Sequence, residues 1–158
     1  MNKELIGTYL NRPVLFQEAR ILAELAIKDL SHAVVLLWLG ESTWQPEQLK
    51  IAIKRFAANN ALNVTIAGEK SDESFFILLE TLSALPVNKP IMTGVIKSTD
   101  VKDPVEDSLI VKDAIERFLI STWPDEERFD DWTEYRIIII GRPGLSRQIC
   151  HSVTEIVV

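Results

Sequence analysis

The sequence predicts an α/β fold: a single three-layer domain with a mainly parallel sheet of four to five strands, flanked by helices. Three observations carry that expectation. Short apolar runs rich in β-branched residues recur at intervals of about 30 residues. Three of them end in glycine, at Gly40, Gly68 and Gly141. The stretches between them have helical periodicity and helix-start signals, the alternation that builds βαβ units and parallel sheets. A chain of 158 residues holds one core of useful size and is short for two.

Taken in order, QEARILAELAIKDL (17–30) sets Ile21, Leu22, Leu25 and Leu30 near one helical face, with Glu18, Arg20, Glu24 and Lys28 largely elsewhere; an early helix is expected. AVVLLWLG (33–40) is a continuous apolar run, as in a strand covered on both faces. The next helix has Ser42 or Thr43 as its cap, Pro46 and Glu47 in its first turn, and Leu49, Ile53 and Phe56 as its apolar stripe, with Asn59 and Asn60 closing it. NVTIAG (63–68) is a second strand. Ser71, with Asp72 or Ser74, then starts the helix ESFFILLETLSAL, and PIMTGVIK (90–97) is a third strand.

Asp103, Pro104 and Glu106 form a capping pattern ahead of Val111, Ile115, Phe118, Leu119 and Thr122 at helical spacing. That helix runs to about 122, or RFLISTW (117–123) is a short strand; periodicity does not separate the two in so short a run. WPDEERFDDWTEY reads as a loop with a short helical piece leading into the strand YRIIIIG (135–141). In the last stretch, Leu145, Ile149, Val153, Ile156 and Val157 share a helical face, although its β-branched end also suits a strand. Helix is the reading preferred.

A formal net charge of -6 and the lack of a Lys/Arg run argue against nucleic-acid binding, which needs a basic stripe to displace counterions. The same charge suits a basic partner. Cys150 is the single cysteine, so no intramolecular disulfide forms. The opening MNKELIGTYLNRPVLF lacks the apolar core of a secretory signal, and no apolar run approaches the roughly 18 residues of a membrane span. A cytoplasmic protein without membrane association is expected.

IIIIGRPGLSRQ (137–148) has the outline of a phosphate-binding loop. Laid on G-x-x-x-x-G-K-[ST], however, Ser146 stands at the second glycine, Arg147 at the lysine and Gln148 at the hydroxyl. Arg142, Arg147 and helix-start N–H groups would suit an anion, but a plain strand-to-helix turn is the reading preferred. No G-x-G-x-x-G follows any strand, and Cys150, His32 and His151 have no zinc-type spacing, so neither a cofactor nor a metal is expected. Cys150 and His151, adjacent in sequence, point apart and make a poor nucleophile–base pair. Cys150 with His32 has no support in the sequence; a buried structural cysteine is preferred, with His32 at the surface or capping.

Ligands of open parallel sheets bind at the carboxyl ends of strands, which here place Asp72, Asp100 and Arg142, with Arg147 nearby, as a possible ligand or anion site. Helix capping explains the Ser, Thr and Asp residues there without a ligand. The most unusual composition is STWPDEERFDDW (121–132), where Trp123, Phe129 and Trp132 stand among Asp125, Glu126, Glu127, Asp130 and Asp131 with Arg128 the lone cation. Aromatic anchors beside steering acids are what a surface for a basic partner uses. The plainer alternative is an amphipathic turn with Phe129 and Trp132 on the core and solvated acids.

FLISTWPDEE (118–127), together with LLWLG and QPEQLKIAIKRFAANNALNVTIAG, resembles an uncharacterised family of small bacterial domains in which a short strand ends in Thr-Thr-Trp-His and runs into acids. Here Ser121 replaces the first Thr and Pro124 replaces the His. The resemblance implies a strand at 118–122 and contributes no active-site residue.

Together these readings favour a non-enzymatic acidic binding protein engaging a protein partner, such as an immunity or adaptor protein, through residues 123–132. The alternative is a small-molecule or nucleotide-binding enzyme with its site at the strand carboxyl ends.

Overall fold

The computed structural model describes residues 3–27, 30, 32–40, 43–86, 89–101, 107–142 and 144–156. Six strands form one sheet: β1 (Glu4–Tyr9), β2 (Arg12–Ala19), β3 (Ala33–Leu39), β4 (Asn63–Gly68), β5 (Met92–Val95) and β6 (Glu134–Ile140). Their order is β1-β2-β6-β3-β4-β5, parallel throughout except for the antiparallel pair β1 and β2. Four helices, α1 (Pro46–Ala58), α2 (Ser71–Ser83), α3 (Ser108–Ser121) and α4 (Leu145–Ile156), follow β3, β4, β5 and β6.

Strands β3 and β6 lie at the centre and are buried along their whole lengths. Alternation sends Val34, Leu36 and Trp38 to one face, with Tyr135, Ile137 and Ile139, where they pack with α3 and α4. Val35, Leu37 and Leu39 go to the other face with Ile138 and Ile140, under α1 and α2. This two-sided burial is why these strands read as unbroken apolar runs.

The largest departure from the sequence-based expectation lies at the start of the chain. Residues 17–19 belong to β2, which pairs in register with β6 from Val14↔Tyr135 to Ala19↔Ile140, and the expected helix over 17–30 is absent from the described residues of that range. Its apolar residues instead bury Leu22, Leu25, Ile27 and Leu30 on the α1 side, through one 3-10 turn at Leu22–Glu24 and extended chain. The β1–β2 hairpin raises the strand number from the expected four to five to six. Its turn uses Leu10 and Asn11, both at positive φ (49° and 62°), so it lacks the Asn-Gly or Asp-Gly signature of such turns.

The other elements lie close to their expected places. Gln45, rather than Thr43, caps α1 through a reciprocal capping box with Gln48, while the Thr43 hydroxyl donates to the Gly40 carbonyl at 2.8 Å; Ser42 lies outside the described residues. The alternative strand at 117–123, like the one at 118–122 that the resemblance implied, is replaced by helix through Ser121. There Val111, Ile115, Phe118 and Leu119 are buried at helical spacing. The C-terminal segment is helical, with Leu145, Ile149 and Val153 buried. The capping pattern Asp103, Pro104 and Glu106, and Val157, lie outside the described residues.

Candidate functional site

The acidic segment lies across the amino-terminal ends of the strands. Glu126–Asp131 form a 3-10 helix begun by Asp125, whose carboxylate accepts the Glu127 N–H at 3.0 Å. Arg128, the lone cation, turns inward and is only 4% exposed. Its Nη1 donates to the carbonyls of Ala61 (3.4 Å) and Pro90 (3.2 Å), just ahead of β4 and β5. The turn is thereby tied to the sheet, with its acids outward: Glu126, Glu127 and Asp130 are exposed, and Asp131 lies 4.0 Å from Lys89.

The three aromatic residues separate. Trp132 is 6% exposed and belongs to the core. Its indole N–H donates to the Glu134 carbonyl at 3.1 Å, and its ring meets those of Tyr135 and Phe129 edge-on at 5.1 and 5.3 Å. This corrects its expected place as a surface anchor: an indole beside the first residues of a central strand is drawn into the core. Phe129 remains 45% exposed and Trp123 52% exposed. They stand toward opposite ends of the turn, Phe129 near Arg12 of β2 and Trp123 beside β4.

Trp123 also walls a groove of about 500 Å³ that the sequence reading did not find. The floor is Asn63, Thr65 and Gly94, and the opposite lining includes Arg117 and Ser121 of α3. Asn63 and Thr65 are buried, and the Thr65 hydroxyl donates to the Asn63 carboxamide oxygen at 2.8 Å while Asn63 Nδ2 donates to the Trp123 carbonyl at 3.0 Å. Gly94 leaves the floor open; a Cβ there would sit 2.9 Å from the Thr65 hydroxyl. The signal in the sequence was Asn-Val-Thr-Ile, polar at alternate positions of a strand whose other face is apolar.

At the carboxyl ends, Arg142 and Asp100 do come together, around Glu69. Arg142 Nη2 lies 3.0 Å from Glu69 Oε1 and 4.0 Å from Asp100 Oδ1. Two carboxylates against one guanidinium do not make an electropositive anion site. Asp72 pairs instead with Lys97 at 3.5 Å, and Arg147 is exposed on α4. A pocket of about 270 Å³ nearby is lined by Trp44, Glu69, Lys70 and Glu73. The glycines ending these strands are required by neighbouring chain: a Cβ on Gly68 would collide with the Leu39 carbonyl, and one on Gly141 with the Thr43 side chain.

Cys150 is half-buried, and burial, with Glu4 and Glu18 nearby, pushes its thiol pKa up. That opposes the thiolate a nucleophile needs. His151 is engaged by Glu155 at 3.0 Å on the exposed side of α4. No helix among the described residues is long and apolar enough to cross a membrane.

Comparison with protein-family models, with characterised proteins and with solved structures finds no match. The class is therefore set by the fold itself: an α/β domain with a mostly parallel six-stranded sheet.

Proposed function

We propose that this chain is a non-enzymatic, cytoplasmic binding module that engages a basic protein partner, in the manner of an immunity or adaptor protein, through the surface around residues 123–131. One observation carries the reading: the turn that Arg128 ties to the sheet projects Glu126, Glu127 and Asp130 outward while leaving Trp123 and Phe129 half-exposed. Large aromatic groups in that position cost solvation in the free protein and become binding energy against an apolar partner surface. The acids supply steering and orientation for a cationic one.

The test is binding of the partner captured from the host's lysate, compared among the wild type, Trp123→Ala, and Glu126→Lys with Glu127→Lys. A basic protein held at fixed stoichiometry, weakened by salt and lost in both folded variants is the expected result. Unchanged capture in both variants rejects this surface.

A second reading, an enzyme with its site at the strand carboxyl ends, rests on the meeting of Arg142 with Asp100 and Glu69, whose two carboxylates suit a small molecule over a nucleotide. It requires a metabolite-dependent rise in melting temperature that Arg142→Ala abolishes.

A further inference from the structure

From the outer border of β5, unpaired among the described residues, we infer that the partner segment docks as an extended strand beside it, adding a strand whose basic end meets the acidic turn. The inference rests on the binding function proposed above and names how that surface takes its partner.

The geometry begins with β5, which ends the sheet next to β4. Met92 and Ile96 donate their backbone N–H groups to Leu62 and Ile66 at 3.0 and 2.9 Å. Strand alternation then turns the N–H and C=O groups of Thr93 and Val95 away from β4. Among the described residues no chain pairs with that border. Unpaired edge groups are a template for another strand. The opposite border, β1, carries a register irregularity between Leu5 and Gly7, a device that discourages such pairing. The β4–β5 register runs without one, from Asn63↔Met92 to Ile66↔Val95.

Two further features lie where an added strand would need them. The groove floored by Asn63, Thr65 and Gly94 runs along β5 on its α3 side, with Thr93 and Val95 in its lining and Trp123 as its wall. Alternate side chains of the added strand would enter it and contact the indole. The acidic turn stands at the amino end of β5, since Arg128 bonds the Pro90 carbonyl and Asp131 lies beside Lys89. A segment leaving the border at that end meets Glu126, Glu127 and Asp130, so the occupant is an extended segment with Lys or Arg residues on one side of its apolar part.

The experiment is selection of a displayed random peptide library against the whole chain, followed by binding and amide-exchange measurements on the enriched peptides. Expected are peptides with alternating apolar residues beside Lys or Arg, which slow exchange at Thr93 and Val95. Alternate N-methylation of the peptide backbone should weaken them about tenfold or more, because each N-methyl group removes a strand hydrogen bond and obstructs pairing. Thr93→Pro should act likewise; at an edge position whose N–H faces outward, proline removes no ladder bond.

Basic peptides that are lost on Glu126→Lys with Glu127→Lys, yet bind equally well after N-methylation, would overturn strand addition and leave the binding function standing. Enrichment of no peptide, or of acidic ones, would overturn both. A wild-type dimer in sedimentation that Thr93→Pro dissociates would show that a second copy occupies the border, and would overturn the inference.

Discussion

The guanidinium of Arg12 lies 4.0 Å from the centre of the Trp132 ring while its Nε donates to the Trp132 carbonyl at 3.1 Å. One side chain thus fastens the start of β2 to the residue that leads into β6. A cation–π contact and a charge-assisted hydrogen bond together predict that Arg12→Ala costs about 1–3 kcal/mol. Arg12→Lys should recover part of it, and urea unfolding measures both. Trp132→Ala, which empties core, should cost about 3–5 kcal/mol. Trp123→Ala, at an exposed site, should stay within about 0.5 kcal/mol. The two tryptophans are therefore separable, and only Trp123 reports on binding in a protein that is still folded.

Tyr135 is fully buried between Phe118 and Trp132, and its hydroxyl has no hydrogen-bond partner among the described residues. Burial raises its pKa to about 12, opposed by the nearby Arg12 charge. The folded value lies above the unfolded value of 10.0, so stability present at neutral pH is lost as pH rises from about 10 to 12. Tyr135→Phe should gain about 1–3 kcal/mol at neutral pH by removing an unsatisfied buried hydroxyl. It should also reduce the alkaline loss. Denaturant midpoints at neutral pH and near pH 11 test both outcomes.

The central strands, α1, α2 and the start of α3 were legible because their burial imposes simple periods, whereas the end of α3 and the β-branched end of α4 suited helix and strand alike. β3 and β6 are apolar on both faces, and α1 shows Leu49, Ile53 and Phe56 at helical spacing. The hairpin was not, because its turn places Leu10 and Asn11 at positive φ without glycine. β2 was hidden for another reason: its buried set includes Gln17, a polar residue bonded to Arg136 and the Ala26 carbonyl, so its alternation looks broken. Within the acidic segment, composition identified the outward acids, but Trp132 and Phe129, three residues apart, are alike in sequence. What separates them is that Trp132 lies next to the core at Tyr135 and Glu134. The groove escaped notice because its parts, Asn63, Gly94 and Trp123, meet only once β5 and α3 are placed.

Arg136 and Glu134, both buried at the start of β6, join Gln17 in one polar network inside the sheet. Arg136 Nε and Nη2 lie 2.9 and 2.8 Å from Glu134 Oε2, and Nη1 donates to Gln17 Oε1 at 3.2 Å. Removing the guanidinium leaves the buried Glu134 carboxylate without its cation in a poorly solvated place, so Arg136→Ala should cost about 3–5 kcal/mol. The double replacement Glu134→Leu with Arg136→Met should cost much less than the sum of the single changes, since apolar pairs of similar volume replace such ions at little expense. A double-mutant cycle by urea denaturation checks this; simple additivity would mean the two ions contribute independently.

Gly68 and Gly141 decide whether the strand ends are shaped for a ligand or for the chain itself. Both have positive φ, 104° and 74°, and both face a neighbouring segment: the Leu39 backbone for Gly68, Thr43 for Gly141. Alanine at either position meets backbone strain and a collision together, so Gly68→Ala and Gly141→Ala should each destabilise by more than about 1 kcal/mol. The obstacle at Gly68 is main chain, which cannot turn aside, whereas at Gly141 it is a side chain. Gly141→Ala with Thr43→Ser removes the Thr43 methyl, keeps its hydroxyl for the Gly40 carbonyl, and should regain part of the loss. No single side-chain trimming should rescue Gly68→Ala. Full stability in both alanine variants would instead show that packing does not demand these glycines, and would return weight to a ligand that needs the space.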